Sequence, residues 1–273
     1  MKKIFPDMSF LHCDYNPSFD GQAPEPIAKN LNPFSKFIKN NGEIAAGLAT
    51  DGDADRIGLF DEKGNFVDSH HILLLLLLYL HKYKSMNGKV VVAASTTPRV
   101  VKLAEMWGLE HDTVQIGFKH IAQQMINEDV LIGGEESGGI AIKGHIPERD
   151  GIWMGLVIFE YMAKSGKSLT SLIKEIYELV GEFKYWRDDL HINENLKQSI
   201  VESCQNNAFQ SFGKYNVQNI DTTDGFKFIL SDDEWLMIRP SGTEPVLRCY
   251  AEGKTIENAK DILASCKQTI GVN

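Results

Sequence analysis

The chain has 273 residues, 43% of them hydrophobic and 24% charged, with a formal net charge of −9. That length accommodates more than one domain, and the composition is that of a soluble globular chain. The acidic balance excludes a general nucleic-acid binder, whose phosphate contacts need a basic face. In chain order, the pattern predicts a strand at 10–15, a loop at 17–22 and a helix from Ile27 to about Asn41. The apolar run Ile44–Ala49 then predicts a strand ending in an acidic loop, with a second strand over Ile57–Phe60. Helices are expected at 69–84, from 96–98 to Gly108, at 118–127, at 151–162 and at 168–180, with strands at 89–94, 111–115, 130–132 and 140–142. Such alternation indicates an α/β/α layered domain with a mostly parallel sheet. Beyond Gly181 the order changes to strands near 183–192, 215–220, 225–230, 234–239 and 246–252, with helices at 195–209 and 255–270. That pattern predicts a smaller α+β domain with an antiparallel sheet.

The fold class expected is therefore α/β: a layered middle domain, preceded by part of a similar domain and followed by the smaller one. The boundaries expected are 1–68, 69–181 and 182–273. The run Ile72–Leu80 is too short to span a membrane, which takes about 20 apolar residues, and reads as a buried helix; no membrane partner is expected. Met1-Lys2-Lys3 leads into no apolar h-region, and Cys13, Cys204, Cys249 and Cys266 form no Cys-x-x-Cys pair. Reduced thiols in a cytoplasmic setting are the expectation.

Four loops have the composition of a site. Asp51, Asp53 and Asp55 lie at alternate positions in Asp51-Gly-Asp-Ala-Asp-Arg56. Carboxylates so close repel unless a cation sits among them, and Mg²⁺ suits oxygen donors that leave room for a phosphate. A solvated acidic turn and a calcium loop are the alternatives; the second lacks the glycine at its sixth position, where Arg56 stands. In Gly117-Phe-Lys-His120, Lys119 and His120 can reach a ligand's charge or hydroxyls, or form an ordinary surface pair. In the glycine-rich loop 133–139, Glu135 and Ser137 offer an acceptor and a hydroxyl where backbone can approach a ligand closely. In Arg239-Pro-Ser-Gly-Thr-Glu-Pro245, Gly242 can take φ > 0, so backbone N–H groups converge on an anion. Ser241 and Thr243 add hydroxyls there, Arg239 adds a planar fork, and Arg248 on the next strand can join it.

These four loops, in this order, resemble those of the α-D-phosphohexomutases, the phosphoglucomutases and phosphomannomutases. The resemblance implies interconversion of hexose 1-phosphate and 6-phosphate through a phosphoserine and a hexose bisphosphate. It implies Mg²⁺ on Asp51, Asp53 and Asp55, with Arg56 in support. Sugar recognition would fall to Lys119, His120, Glu135 and Ser137. The non-reacting phosphate would be held by Arg239, Ser241, Gly242, Thr243 and Arg248. The family's nucleophilic serine lies in a Ser-His-Asn-Pro type loop ahead of all of these. Ser69-His70 follows the metal loop and lacks the Asn-Pro, so it does not match. The chain is thus expected to be a C-terminal part of such an enzyme, inactive alone, with a truncated sugar-phosphate binding module as the alternative. Oligomeric state is not legible.

Overall fold

The computed structural model describes residues 7–242 and 244–272. After α1 (Asn32–Asn40), the strands β1 (Gly47–Thr50), β2 (Ile57–Phe60) and β3 (Phe66–Val67) form an antiparallel meander, in register Thr50 with Ile57 and Phe60 with Phe66. The strand expected at 10–15 does not form; among the described residues only short 3₁₀ turns at Phe19–Gly21 and Ala28–Asn30 precede α1. Alternation at 10–15 has no neighbouring strand to pair with, and a lone strand leaves its backbone groups unsatisfied. Helix α1 begins later than expected, because Pro33 sits at its first turn.

The middle of the chain contains α2 (Ser69–Leu78), β4 (Lys89–Ala93), α3 (Arg99–Met106), β5 (His111–Val114) and α4 (Phe118–Asn127). It continues with β6 (Val130–Gly134), β7 (Ile140–Ile142), α5 (Gly151–Ser165) and α6 (Leu169–Val180). The sheet order is β5-β4-β6-β7, with β4 parallel to both β5 and β6, and β7 antiparallel. Helix α2 is capped by Asp68, whose carboxylate accepts the His71 N–H, and it is buried from Ser69 through Leu78. Its leucines pack on Val90, Leu131 and Ile158, and on Ile57, Leu59 and Val67 of the meander. The acidic hairpin thus shares one core with the layered unit, which fixes the acidic loop against it. Among the described residues no helix is long and apolar enough to cross a membrane.

The last part holds β8 (Lys184–His191), α7 (Glu194–Gln205), β9 (Ser211–Phe212), β10 (Tyr215–Asn216) and β11 (Asn219–Asp221). There follow β12 (Phe226–Ile229), β13 (Trp235–Pro240), β14 (Val246–Gly253) and α8 (Ile256–Thr269). The sheet β11-β12-β13-β14-β8 is antiparallel throughout. One face packs on α7 and α8 through Leu236, Ile238, Cys249, Ile262 and Cys266. The other presents Trp235, Met237 and Tyr250 to Ala94 of the middle unit. Helix α7 ends before 209 because Asn207 takes φ 53° and Ala208 N–H turns back to Ser203 O. The expected strand at 215–220 is two short ones, β10 and β11, in different sheets. All four cysteines are free thiols, three of them buried.

Candidate active site

The acidic loop is a tight β1–β2 turn made possible by Ala54 at φ 62°, with Ala54 N–H donating to Asp51 O (3.3 Å). One carboxylate oxygen from each of Asp51, Asp53 and Asp55 lies within 4.8 Å of the others. Asp51 is the best held: its Oδ1 accepts the Arg56 N–H (3.1 Å), and its Oδ2 faces Arg56 Nε (3.0 Å). Asp55 accepts from Arg149 Nη2 at 2.7 Å, while its buried Oδ1 makes no hydrogen bond. Burial and the neighbouring carboxylates of Asp51 and Asp53 raise the Asp55 pKa, with Arg149 opposing. Three oxygens without enough positive partners are a donor set that fits a hard divalent cation.

This loop is stitched to the glycine-rich loop by backbone. Ile57 N–H donates to Gly138 O (3.2 Å), and Arg56 forms a bridge with Gly139. The approach is so close that a Cβ on Gly138 (φ +98°) would stand 2.6 Å from Ile57 O. Glu135 is buried there, and its Oε1 accepts the Gly117 N–H (2.8 Å) at the start of α4. Burial raises the Glu135 pKa, the Gly117 N–H offsets it, and the Glu136 charge adds to the rise. Lys119 and His120 follow in the first turn of α4: Lys119 is exposed, while half-buried His120 borders a hollow of about 480 Å³ with Gln124 and Thr223, which neither Glu135 nor the three aspartates line. Ser137 is half-buried in the glycine-rich loop.

The C-terminal loop joins through Asp224. Its Oδ2 accepts the Ile116 N–H (2.8 Å), one residue before Gly117, and its Oδ1 faces Arg239 Nε (3.1 Å). Arg239 and Arg248 are directly opposed on β13 and β14. Among the described residues the Arg248 Nε has no partner, and the one ion pair of its guanidinium is a long one to Glu244 (3.8 Å). Buried Ser241 donates its N–H to Val246 O (2.9 Å). The expectation of a positive φ at Gly242 is not met; the residue is exposed, and a Cβ there would meet nothing within 4 Å. Thr243 lies outside the described residues. Ser69 and His70 are buried: Ser69 Oγ donates to Glu136 O, and His70 Nδ1 accepts the Thr97 N–H (3.1 Å). Neither is exposed as a nucleophile would be.

Residues 4–64, 68–180 and 194–267 match, in that order, alpha/beta/alpha domain II, alpha/beta/alpha domain III and the C-terminal domain of phosphoglucomutase/phosphomannomutase. The chain belongs to this family. A phosphoglucomutase/phosphomannomutase of Thermococcus kodakarensis is 31% identical over 90% of the chain, which covers 51% of that relative. A phosphoglucosamine mutase of Methanocaldococcus jannaschii is 31% identical over 90% of the chain, which covers 53% of it. The crystal structure of a Thermus thermophilus protein described as a phosphomannomutase superposes with a TM-score of 0.78 at 31% identity, over 94% of this chain and 53% of that one. The chain therefore spans about half the length of the phosphoglucomutase/phosphomannomutase relatives it matches.

Two site residues had no signal in the sequence. Arg149 lies far from the acidic loop in sequence and reaches Asp55 only because α5 starts at that loop, where Gly151 N–H donates to Ala54 O (2.9 Å). Asp224 belongs to an Asp-Gly turn, which signals a hairpin and nothing more.

Proposed function

We propose that this chain carries the cation-, sugar- and phosphate-handling parts of a phosphohexomutase that interconverts hexose 1-phosphate and hexose 6-phosphate through a hexose bisphosphate. One observation carries the reading: the four loops form a single connected array, Asp51–Arg56 to Gly138–Gly139, Glu135 to Gly117, and Ile116 through Asp224 to Arg239. In this reading Asp51, Asp53 and Asp55 hold Mg²⁺, which supplies neutralisation of the charge on a transferring phosphoryl group. Arg56 keeps Asp51 oriented. Glu135, poised by the Gly117 N–H, accepts from sugar hydroxyls, with Ser137, Lys119 and His120 beside it. Arg239, Arg248, Ser241, Gly242 and Thr243 anchor the other phosphate, and a fixed anchor lets the sugar present either end to the reacting position. Positioning of this kind contributes much of the rate of a phosphoryl transfer.

Ser69 is buried and the sequence holds no matching nucleophile loop, so we infer that these 273 residues bind substrate without turning it over. Calorimetric titration with glucose 1,6-bisphosphate in Mg²⁺ tests the first part: saturable one-to-one binding is expected, and none would overturn it. A coupled assay for glucose 1-phosphate conversion tests the second; turnover by these residues alone would overturn that part only. Repeating the titration with mannose and glucosamine phosphates identifies the preferred hexose.

A further inference from the structure

Arg149 touches three of the four loops. Its Nη2 holds Asp55 Oδ2 at 2.7 Å. Its side chain runs so close under the glycine-rich loop that a Cβ on Gly139 would meet Arg149 Cδ at 2.4 Å. Its guanidinium lies 5.4 Å from the Phe118 ring, beside the Lys119–His120 turn, and its charge reaches Glu135. Its remaining acidic neighbour, Glu148, is exposed, with Nε to Oε1 at 3.2 Å. The guanidinium thus sits between the carboxylates of the acidic loop and the carboxylate of the glycine-rich loop.

We propose that Arg149 is a positioning residue, a displaceable counter-ion that couples cation binding at the acidic triad to phosphosugar binding among the four loops. The inference rests on the functional reading above. Arg149 holds Asp55 Oδ2 and leaves Oδ1 without a hydrogen bond, so a divalent cation on Oδ1 would share one carboxylate with the guanidinium. The cation would draw charge from that carboxylate and repel the guanidinium, which weakens the hold of Asp55 on Arg149. The loosened planar fork is then available to an anion among the loops, where the strongest candidate is a sugar phosphate. Without cation, Arg149 is engaged by Asp55 and a phosphosugar lacks this donor. The stem held under Gly139 keeps the guanidinium near both positions, so little reach is lost in the exchange. The coupling is reciprocal by linkage: whatever factor the cation adds to phosphosugar affinity, the phosphosugar adds to cation affinity.

The experiment measures Mn²⁺ affinity by the paramagnetic resonance of free Mn²⁺, with and without saturating glucose 1,6-bisphosphate. The proteins are the native chain, R149Q, R149K and D53N. In the native chain Mn²⁺ affinity is expected to rise by about tenfold with the sugar, within the usual range of coupling energies. R149Q should bind Mn²⁺ several-fold more tightly than the native chain without sugar, and gain little when sugar is added. R149K, which keeps the charge without the fork, should retain part of the gain. Mn²⁺ chelated by the sugar in solution is measured in a protein-free titration and subtracted, and D53N, with one ligand removed, should bind Mn²⁺ more weakly with and without sugar. A native-sized gain in R149Q, or unchanged sugar-free affinity in both Arg149 variants, would overturn the proposal. A native chain that binds Mn²⁺ and bisphosphate independently also overturns it while leaving the functional reading intact. A native chain that binds neither overturns both. R149K guards against a folding defect in R149Q, since it preserves the ion pair to Asp55.

Discussion

Burial divides the work of two clusters of acidic and basic side chains, one at the acidic loop and one at the joint between units. In the first, Asp51, Asp53 and Asp55 face Arg56 and Arg149 near the surface, with Asp53 exposed and both arginines about one-third exposed. In the second, Arg99, Glu252 and Lys227 are buried where the C-terminal sheet meets the middle unit. Arg99 pairs with Glu252, which is fully buried, and with Asp233 (3.0 Å). Lys227 Nζ donates to the carbonyls of Ala94 (2.9 Å) and Thr96 (3.0 Å) and lies 4.2 Å from the Trp235 ring centre. The acidic cluster has excess negative charge, three carboxylates against two guanidiniums, which is how a site awaiting a cation is built. The buried cluster balances its charges, Arg99 and Lys227 against Glu252 and Asp233, although Arg99 Nε and Glu252 Oε2 each lack a hydrogen bond; such balance is how two units are held in one relation. Like ingredients give a binding site where water and ions can enter, and a joint where they cannot.

The sharpest way to break the comparison is to unpair the joint. Arg99→Met leaves the Glu252 carboxylate buried without its main cation, and losing one partner of a buried pair costs about 3–5 kcal/mol. A drop of that size in denaturant unfolding is expected, while glucose 1,6-bisphosphate affinity at a temperature where the variant stays folded is unchanged. Arg99→Met with Glu252→Leu should recover much of the loss, since a well-packed apolar pair replaces a buried ionic one at little cost. A double variant as unstable as the single one would show that the pair is worth more than its desolvation.

The next effect concerns His70, which packs on Tyr185 (ring centres 4.3 Å apart) at the same joint. Burial lowers its pKa from 6.5 to about 4, with Asp68 opposing and the His71 and Lys227 charges adding to the fall. Between those values the unfolded chain binds the proton and the folded chain does not, so stability rises with pH there. On acidification stability is lost from about pH 6.5 down to about pH 4, by a total of about 3 kcal/mol. His70→Gln keeps an acceptor for the Thr97 N–H and should flatten this window in urea titrations. Asp68 acts at lower pH and leaves the window clear: burial pushes its carboxyl up, but His71 outweighs this and holds it far below its usual range. An unchanged slope in His70→Gln would assign the effect elsewhere.

The two clusters were unequally legible in the sequence. The acidic triad is local: three aspartates at alternate positions announce themselves, and the turn between two apolar runs follows. The leucine run of α2 was legible for the same reason, since a helix apolar on every side has to be buried. The joint was not legible, because Arg99 and Glu252 are far apart in the chain and each alone reads as a surface charge. Arg149 and Asp224 were hidden likewise, as their partners are assigned by topology. The strand expected at 10–15 failed from the opposite side: its pattern was visible, but no neighbouring strand exists to hydrogen-bond with it among the described residues. At Gly242 the composition of the loop suggested a left-handed turn that the backbone does not take.

The smallest expected change in stability comes from the acidic triad itself, and it separates ligand from scaffold within three residues. Asp53 is exposed, and it adds to the repulsion that raises the Asp55 pKa. Asp53→Asn removes a like charge and leaves no buried group unpaired. Its melting temperature should stay within about 1 °C of the native chain or rise, a shift of about 0.6 kcal/mol or less for a chain of this size. Mg²⁺ affinity should nevertheless fall by more than tenfold in calorimetric titration, because a charged ligand has been lost. Asp51 is different: its side chain is 5% exposed, and it accepts from both the backbone and the guanidinium of Arg56. Asp51→Asn should therefore cost about 1–3 kcal/mol as well as the cation, the usual penalty for weakening a charged, buried hydrogen bond. Equal stability loss in the two variants would mean that Asp53 is part of the scaffold and that the boundary between site and joint runs through the loop differently.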